Sequence, residues 1–165
     1  MPWSDALTVE RTHIHELEIL LRFVLAIAFG AAIGFERELR ERSAGLRTHV
    51  ITTLAAAMFT VLTYEIFHQF QIPGKETART DPIRLIEAVT AGASFLAAGT
   101  IIHGTGKVRG LTTGAGIWLC GALGIATGAG FYQIALFGVI LSLIVLVALE
   151  RLERHLLATN DPPPR

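Results

Sequence analysis

The chain has 165 residues, of which 52% are hydrophobic and only 17% charged, and its 14 basic and 14 acidic side chains balance. Soluble domains carry about 25% charge; here the charges gather in short stretches between long apolar runs, as a bilayer demands because charge is costly at its centre. The balance excludes a basic surface for nucleic acid, and the single cysteine, Cys120, excludes an intrachain disulfide.

Residues 1–16 form a polar N-terminal segment with several acids. The apolar run that follows has bulky and basic neighbours instead of a small-residue cleavage site, so no cleavable signal peptide is expected. His13-x-His15-Glu16 is by itself only a weak metal signal. A membrane-crossing helix needs about 20 mostly apolar residues, and the first such run covers 17–35. It meets a block of alternating charge from Glu36 to Arg42, where Glu36/Arg40 and Glu38/Arg42 stand at i, i+4 spacing. Ser43-Ala44-Gly45 breaks the chain, and Gly45 suits a tight bend. Arg47 and Thr48 then lie where a second helix re-enters the membrane, and Glu36 is expected to pair with Arg47 across the bend.

The second span covers 46–67, followed by a loop from Gln69 to Thr80 that contains Pro73-Gly74. Asp81-Pro82 is a helix start, an acid at the cap and proline at the first position, and the third span runs over 83–102. Glu65 and Glu87 are the acids nearest membrane depth; each is either a functional group or a side chain reaching back to the interface, and Arg84 stands at i, i+3 to Glu87. His103 to Gly110 reads as a loop. Its Gly104-x-Gly106-Lys107 fails the spacing of a phosphate loop. The fourth span, 111–128, opens with Thr112-Thr113-Gly114 and Trp118; the fifth, 131–149, is rich in Leu, Ile and Val and is placed largely against lipid. Residues 151–165 form a short tail, disordered from Asn160 on.

The fold class is therefore all-α, a polytopic integral membrane bundle of about five transmembrane helices, with 17–150 as its membrane domain. Small residues recur in it, and helices in lipid associate by the close backbone approach that such residues allow. Gly30, Gly34, Gly45, Gly92, Gly99, Gly110, Gly114, Gly124 and Gly128 are the packing candidates, and the GxxxG pairs among them also suit a homodimer. Nine basic residues fall on the side of the charged block and five on the other, which places the C-terminus in the cytoplasm and the N-terminus outside it. No nucleophile with its base and no Cys/His metal set is present, so no catalytic residue is assigned and the chain is read as no enzyme.

Three motifs in order resemble the MgtC/SapB family of bacterial membrane proteins: Gly34-Phe35-Glu36-Arg37-Glu38 with Ala44-Gly45-Leu46-Arg47-Thr48, then Asp81-Pro82-x-Arg84 with Gly92-x-x-Phe95-Leu96-x-Ala98-Gly99-Thr100-Ile101, then Gly110-Leu111-Thr112-Thr113-x-Ala115-x-x-Trp118. The third helix departs from the family pattern at Ala93, Ser94 and Ala98, and the fourth at Gly114. The resemblance implies the short, SapB-like form without the ACT-like domain of MgtC proper, set in the bacterial inner membrane. It further implies a virulence-associated family concerned with magnesium and ATP homeostasis and low-magnesium adaptation, working by regulation of a partner such as the F-type ATP synthase. A small cation transporter or channel is the rival, with magnesium ion as its cargo and no resident cofactor. Glu36, Arg37, Glu38, Arg47, Thr48, Asp81, Arg84, Glu87, Thr112, Thr113 and Trp118 are the expected functional polar surface, with no metal ligand assigned.

Overall fold

The computed structural model of the chain describes residues 12–69, 82–104 and 107–158. Asp81, the Pro73-Gly74 loop, Gly106 and the tail from Asn160 on, all singled out above, lie outside those residues. Five helices are present: α1 (Glu16–Leu39), α2 (Leu46–Gln69), α3 (Pro82–Gly99), α4 (Leu111–Gly128) and α5 (Tyr132–Ala158). Four of them, α1, α2, α4 and the Tyr132–Leu152 stretch of α5, are long and apolar enough to cross a membrane. α3, with 18 residues, carries Arg84 and Glu87 in its first turns and runs beside the others.

Local chemistry sets the helix ends. His15 caps α1 by accepting from the Leu17 N–H, and Glu16 and Glu18 sit in the first turn, where the exposed N–H groups favour negative charge. α1 continues past the apolar run through Glu36 and Arg37 to Leu39, as the i, i+4 spacing of the charged block requires, and Glu36 lies near Arg40 at that spacing. α4 ends in a tight reversal. The Phe131 N–H bonds to the Ala126 carbonyl at 2.8 Å and Gly130 to Thr127 at 3.0 Å, a Schellman turn in which Gly130 takes a left-handed φ of 84°.

One stretch read as a loop is more ordered. Ile102–Gly104 (β1) and Lys107–Arg109 (β2) pair antiparallel with Ile102 opposite Arg109. Two residues separate the strands, the commonest hairpin length. Gly110 follows with a φ of 88°, and a Cβ there would lie 2.1 Å from the Thr100 carbonyl, so only glycine turns the chain from β2 into α4.

The core is a three-helix unit. α2 lies between α1 and α4, antiparallel to the first and parallel to the second, and the contacts are backbone to backbone. A Cβ on Gly34 would fall 2.8 Å from Leu46 Cα, and one on Gly30 would fall 2.9 Å from the His49 carbonyl. On the other flank, a Cβ on Gly124 would fall 2.3 Å from the Thr53 carbonyl, and one on Gly128 would fall 2.6 Å from that of Ala57. Thr53, Thr60 and Thr127, all buried, return their hydroxyls to carbonyls four residues back, which satisfies them where no water reaches.

α3 and α5 are peripheral. α3 rests on α4, with Gly114 near the Ala97 carbonyl and Gly121 near Ala93, and it barely meets α2. Gly92 and Gly99, expected to pack, have nothing within 4 Å of where a Cβ would stand; no neighbouring helix closes on them. α5 packs Ala135 and Val139 into a cluster with Ile33, Cys120 and Leu123, and exposes Ile140, Leu141, Ile144, Val145 and Leu149, the lipid-facing surface its composition suggested.

Candidate functional site

The ends of the bundle differ. At the hairpin end, α1 finishes, α2 and α4 begin, and the last turns of α5 run past. Glu36 and Arg37 are buried there, the arginine with 2% of its surface exposed. Arg37 Nε donates to Glu36 Oε2, and Arg40 Nε lies 3.5 Å from the other carboxylate oxygen. Arg40 extends the chain of charge to α5, its Nη1 3.0 Å from Glu150 Oε2, while Arg42 Nη2 lies 3.8 Å from Glu150 Oε1. Neighbouring charges in a low-dielectric setting hold one another, and removing one member of such a pair costs far more than the intact pair contributes.

The expected Glu36–Arg47 pair does not form. Glu36 turns back along its own helix, and Arg47 is exposed on the first turn of α2. Glu38 does not meet Arg42 either. Its Oε2 accepts from the Leu46 N–H at 2.9 Å and so closes the start of α2 from across the bend. Gly45 lies beneath that carboxylate: a Cβ there would stand 1.7 Å from Glu38 Oε2. A larger residue there would displace the carboxylate from the Leu46 N–H; the φ of Gly45 itself is not left-handed.

His49, which the sequence reading passed over, is the most enclosed polar side chain of this end, with no exposed surface. Nδ1 lies 2.8 Å from the Gly45 carbonyl, so it carries the proton and Nε2 is left as an acceptor. Nε2 has no hydrogen-bond partner among the described residues. It points at Gly116 of α4, where a Cβ would stand 2.9 Å away. The available signal was a histidine inside an apolar run; its partners come from two other helices and were not legible.

The remaining expected residues do not join one surface. Thr48, Thr112 and Trp118 are exposed near the hairpin end, whereas Thr113 is buried. Arg84 and Glu87 stand at the opposite end of the bundle, both exposed and with no ion pair between them. Also at that end, Glu65 accepts from the His13 and Ile14 N–H groups at 2.7 and 2.9 Å; it anchors the segment before α1. Arg22 donates to the Gly128 carbonyl at 2.6 Å and pairs with Glu18. Among the described residues no three His, Cys, Asp or Glu side chains come together as a metal cage.

Known proteins resemble the chain over most of its length. It is 34% identical over 143 residues to YhiD of Escherichia coli, whose name marks it as a candidate magnesium transporter, covering 87% of this chain and 66% of that protein. It is 37% identical over 134 residues to SapB of Bacillus subtilis, covering 81% and 56% of the two chains. It is 32% identical over 131 residues to MgtC of Salmonella typhimurium, covering 79% and 52%. The chain thus spans between half and two thirds of the length of these relatives. No solved structure matches it. The MgtC family profile matches residues 23–155, from within α1 to the last turn of α5 and including Glu36, Arg37 and His49, and the chain belongs to the MgtC family.

Proposed function

We propose that this protein acts without catalysis in magnesium and ATP homeostasis, by regulating another complex of the inner membrane. An F-type ATP synthase is the partner that the family resemblance implies. One observation carries this reading: the α1–α2–α4 core is closed. Gly30, Gly34, Gly124 and Gly128 bring backbones into contact, and the buried threonines between them spend their hydroxyls on their own helices. A conduit for a hydrated ion needs a series of polar groups free to replace its water shell, and between these glycines and threonines the core offers none; His49 Nε2, at the hairpin end, stands apart from them. Magnesium is then a signal to which the protein responds, and no resident cofactor is required. The hairpin end, richer in arginine, faces the cytoplasm in this reading. Its Arg40–Glu150–Arg42 bridge fixes α5 against α1 at the membrane boundary, where a partner's soluble face would meet it.

The rival reading is a small magnesium or other cation transporter. It is favoured by the buried Glu36 and by His49, whose Nε2 is free to accept a proton or a ligand. Ion flux separates the two. Purified protein in sealed liposomes, with a magnesium gradient and a fluorescent reporter inside, is expected to stay silent. Deletion in the host is expected to impair growth at low magnesium and to alter ATP levels. Flux that Glu36→Gln abolishes would establish the transporter instead.

A further inference from the structure

The loose fit of α3 against α2 opens two adjoining grooves on the membrane face of the bundle. The first, of about 800 Å³, runs between α2 and α3 from Arg84 and Thr63 to Thr52 and Leu96. The second, of about 590 Å³, lies among the ends of α2, α3 and α4 and reaches Arg22. Both border Thr63 and Leu85, so they meet along one seam. Both volumes fall within the range of small-molecule sites, about 300–1,000 Å³.

Their walls are apolar except for one charge apiece. Among the described residues, Arg84 is the single charged residue lining the first groove and Arg22 the single charged residue lining the second. Glu87, one turn beyond Arg84, lines neither. Arg22 is already paired with Glu18, so the unpaired cation of the two grooves is Arg84, at the end of the bundle opposite the hairpin. Arg84 has no carboxylate partner among the described residues, and Arg22 holds its Nε buried without a hydrogen bond. From Thr63 to Thr52 the first groove follows α2 for about 16 Å at 1.5 Å per residue, roughly half of a hydrocarbon core about 30 Å thick. These residues bracket the middle of α2 (Leu46–Gln69), with Arg84 toward the Thr63 end of the groove.

We infer that the α2–α3 seam is a binding site for one anionic phospholipid, its phosphate held by Arg84 and its acyl chains laid in the two grooves. A planar guanidinium suits bidentate contact with phosphate oxygens. The chains fill space that no side chain of α3 occupies, since Gly92 lines the first groove and has nothing within 4 Å of its Cβ position. α3, which meets α2 far less than α1 and α4 do, is then completed by lipid.

Native mass spectrometry of the delipidated full-length protein, titrated with dioleoyl phosphatidylglycerol or dioleoyl phosphatidylcholine, tests this. One phosphatidylglycerol is expected to bind at least fivefold more tightly than phosphatidylcholine. Arg84→Gln is expected to erase that preference, and Arg84→Lys to keep part of it. Gly92→Leu, which projects into open space and leaves the fold intact, is expected to weaken both lipids about fivefold. Equal binding of the two lipids, or a preference that Arg84→Gln leaves unchanged, overturns the inference. So does a lipid-free dimer that Gly92→Leu dissociates, since a second copy would then be the occupant of the groove.

Discussion

α2 and α3 are both helices of this bundle, yet they solve opposite problems. α2 is gripped on two sides by glycines of α1 and α4, at distances that leave no room for a methyl group. α3 has glycines of its own, but Gly92 and Gly99 face nothing. Glycine spacing alone therefore does not announce packing. What matters is whether a partner helix lies across the small-residue face, and only α2 has one on both flanks. The core is consequently close-packed, whereas the α3 side leaves open space.

The sharpest test of that contrast lies at the charged end of the core. Glu36→Ala strands the buried Arg37 without its carboxylate and is expected to cost about 3–5 kcal/mol, read from equilibrium unfolding in mixed micelles. A loss under about 1 kcal/mol would mean that water reaches the pair. Next comes the glycine comparison. Gly124→Val forces a side chain against the Thr53 and Ala57 backbone and is expected to cost about 2–3 kcal/mol. Gly92→Val on α3 is expected to stay within about 0.5 kcal/mol, as for a surface change. Equal costs would erase the distinction between core and periphery.

Smaller effects follow at the bend. Glu38→Ala removes the acceptor for the Leu46 N–H and is expected to cost about 1 kcal/mol, the usual value of a helix cap, with fraying of the first turn of α2 visible as faster amide exchange at Leu46. Arg47→Gln, at an exposed position without a partner carboxylate, is expected to change stability by less than about 0.5 kcal/mol. A larger loss would indicate that Arg47 does engage Glu36 in the bilayer.

Much of the fold was legible because a bilayer is a simple solvent. It demands long apolar runs, and those at α1, α2, α4 and α5 stand out on composition. Boundaries were less legible. α1 runs four residues past its apolar stretch, to Leu39, because Glu36 and Arg37 bury their charges against each other. Ile102 to Arg109 carries only three residues per strand, too few for alternation to register, and so read as loop. Of the candidate site, Glu36, Arg37 and Glu38 were visible as a block of charge. Their partners were not, since Glu150 lies more than a hundred residues away in sequence and Leu46 contributes only its backbone.

Residue identity by itself determined that this is a membrane bundle, that its helices meet through small residues, and that its charges sit at the ends. Those conclusions rest on solvation, a property each residue carries alone. Tertiary structure decided which glycines touch a neighbour, that Glu36 joins Arg37 and Arg40 in place of Arg47, that His49 is enclosed by three helices, and that α3 stands apart from α2. Each of these depends on what lies across a helix interface, and in a bilayer that is settled by backbone fit between whole helices, which no local stretch of sequence specifies.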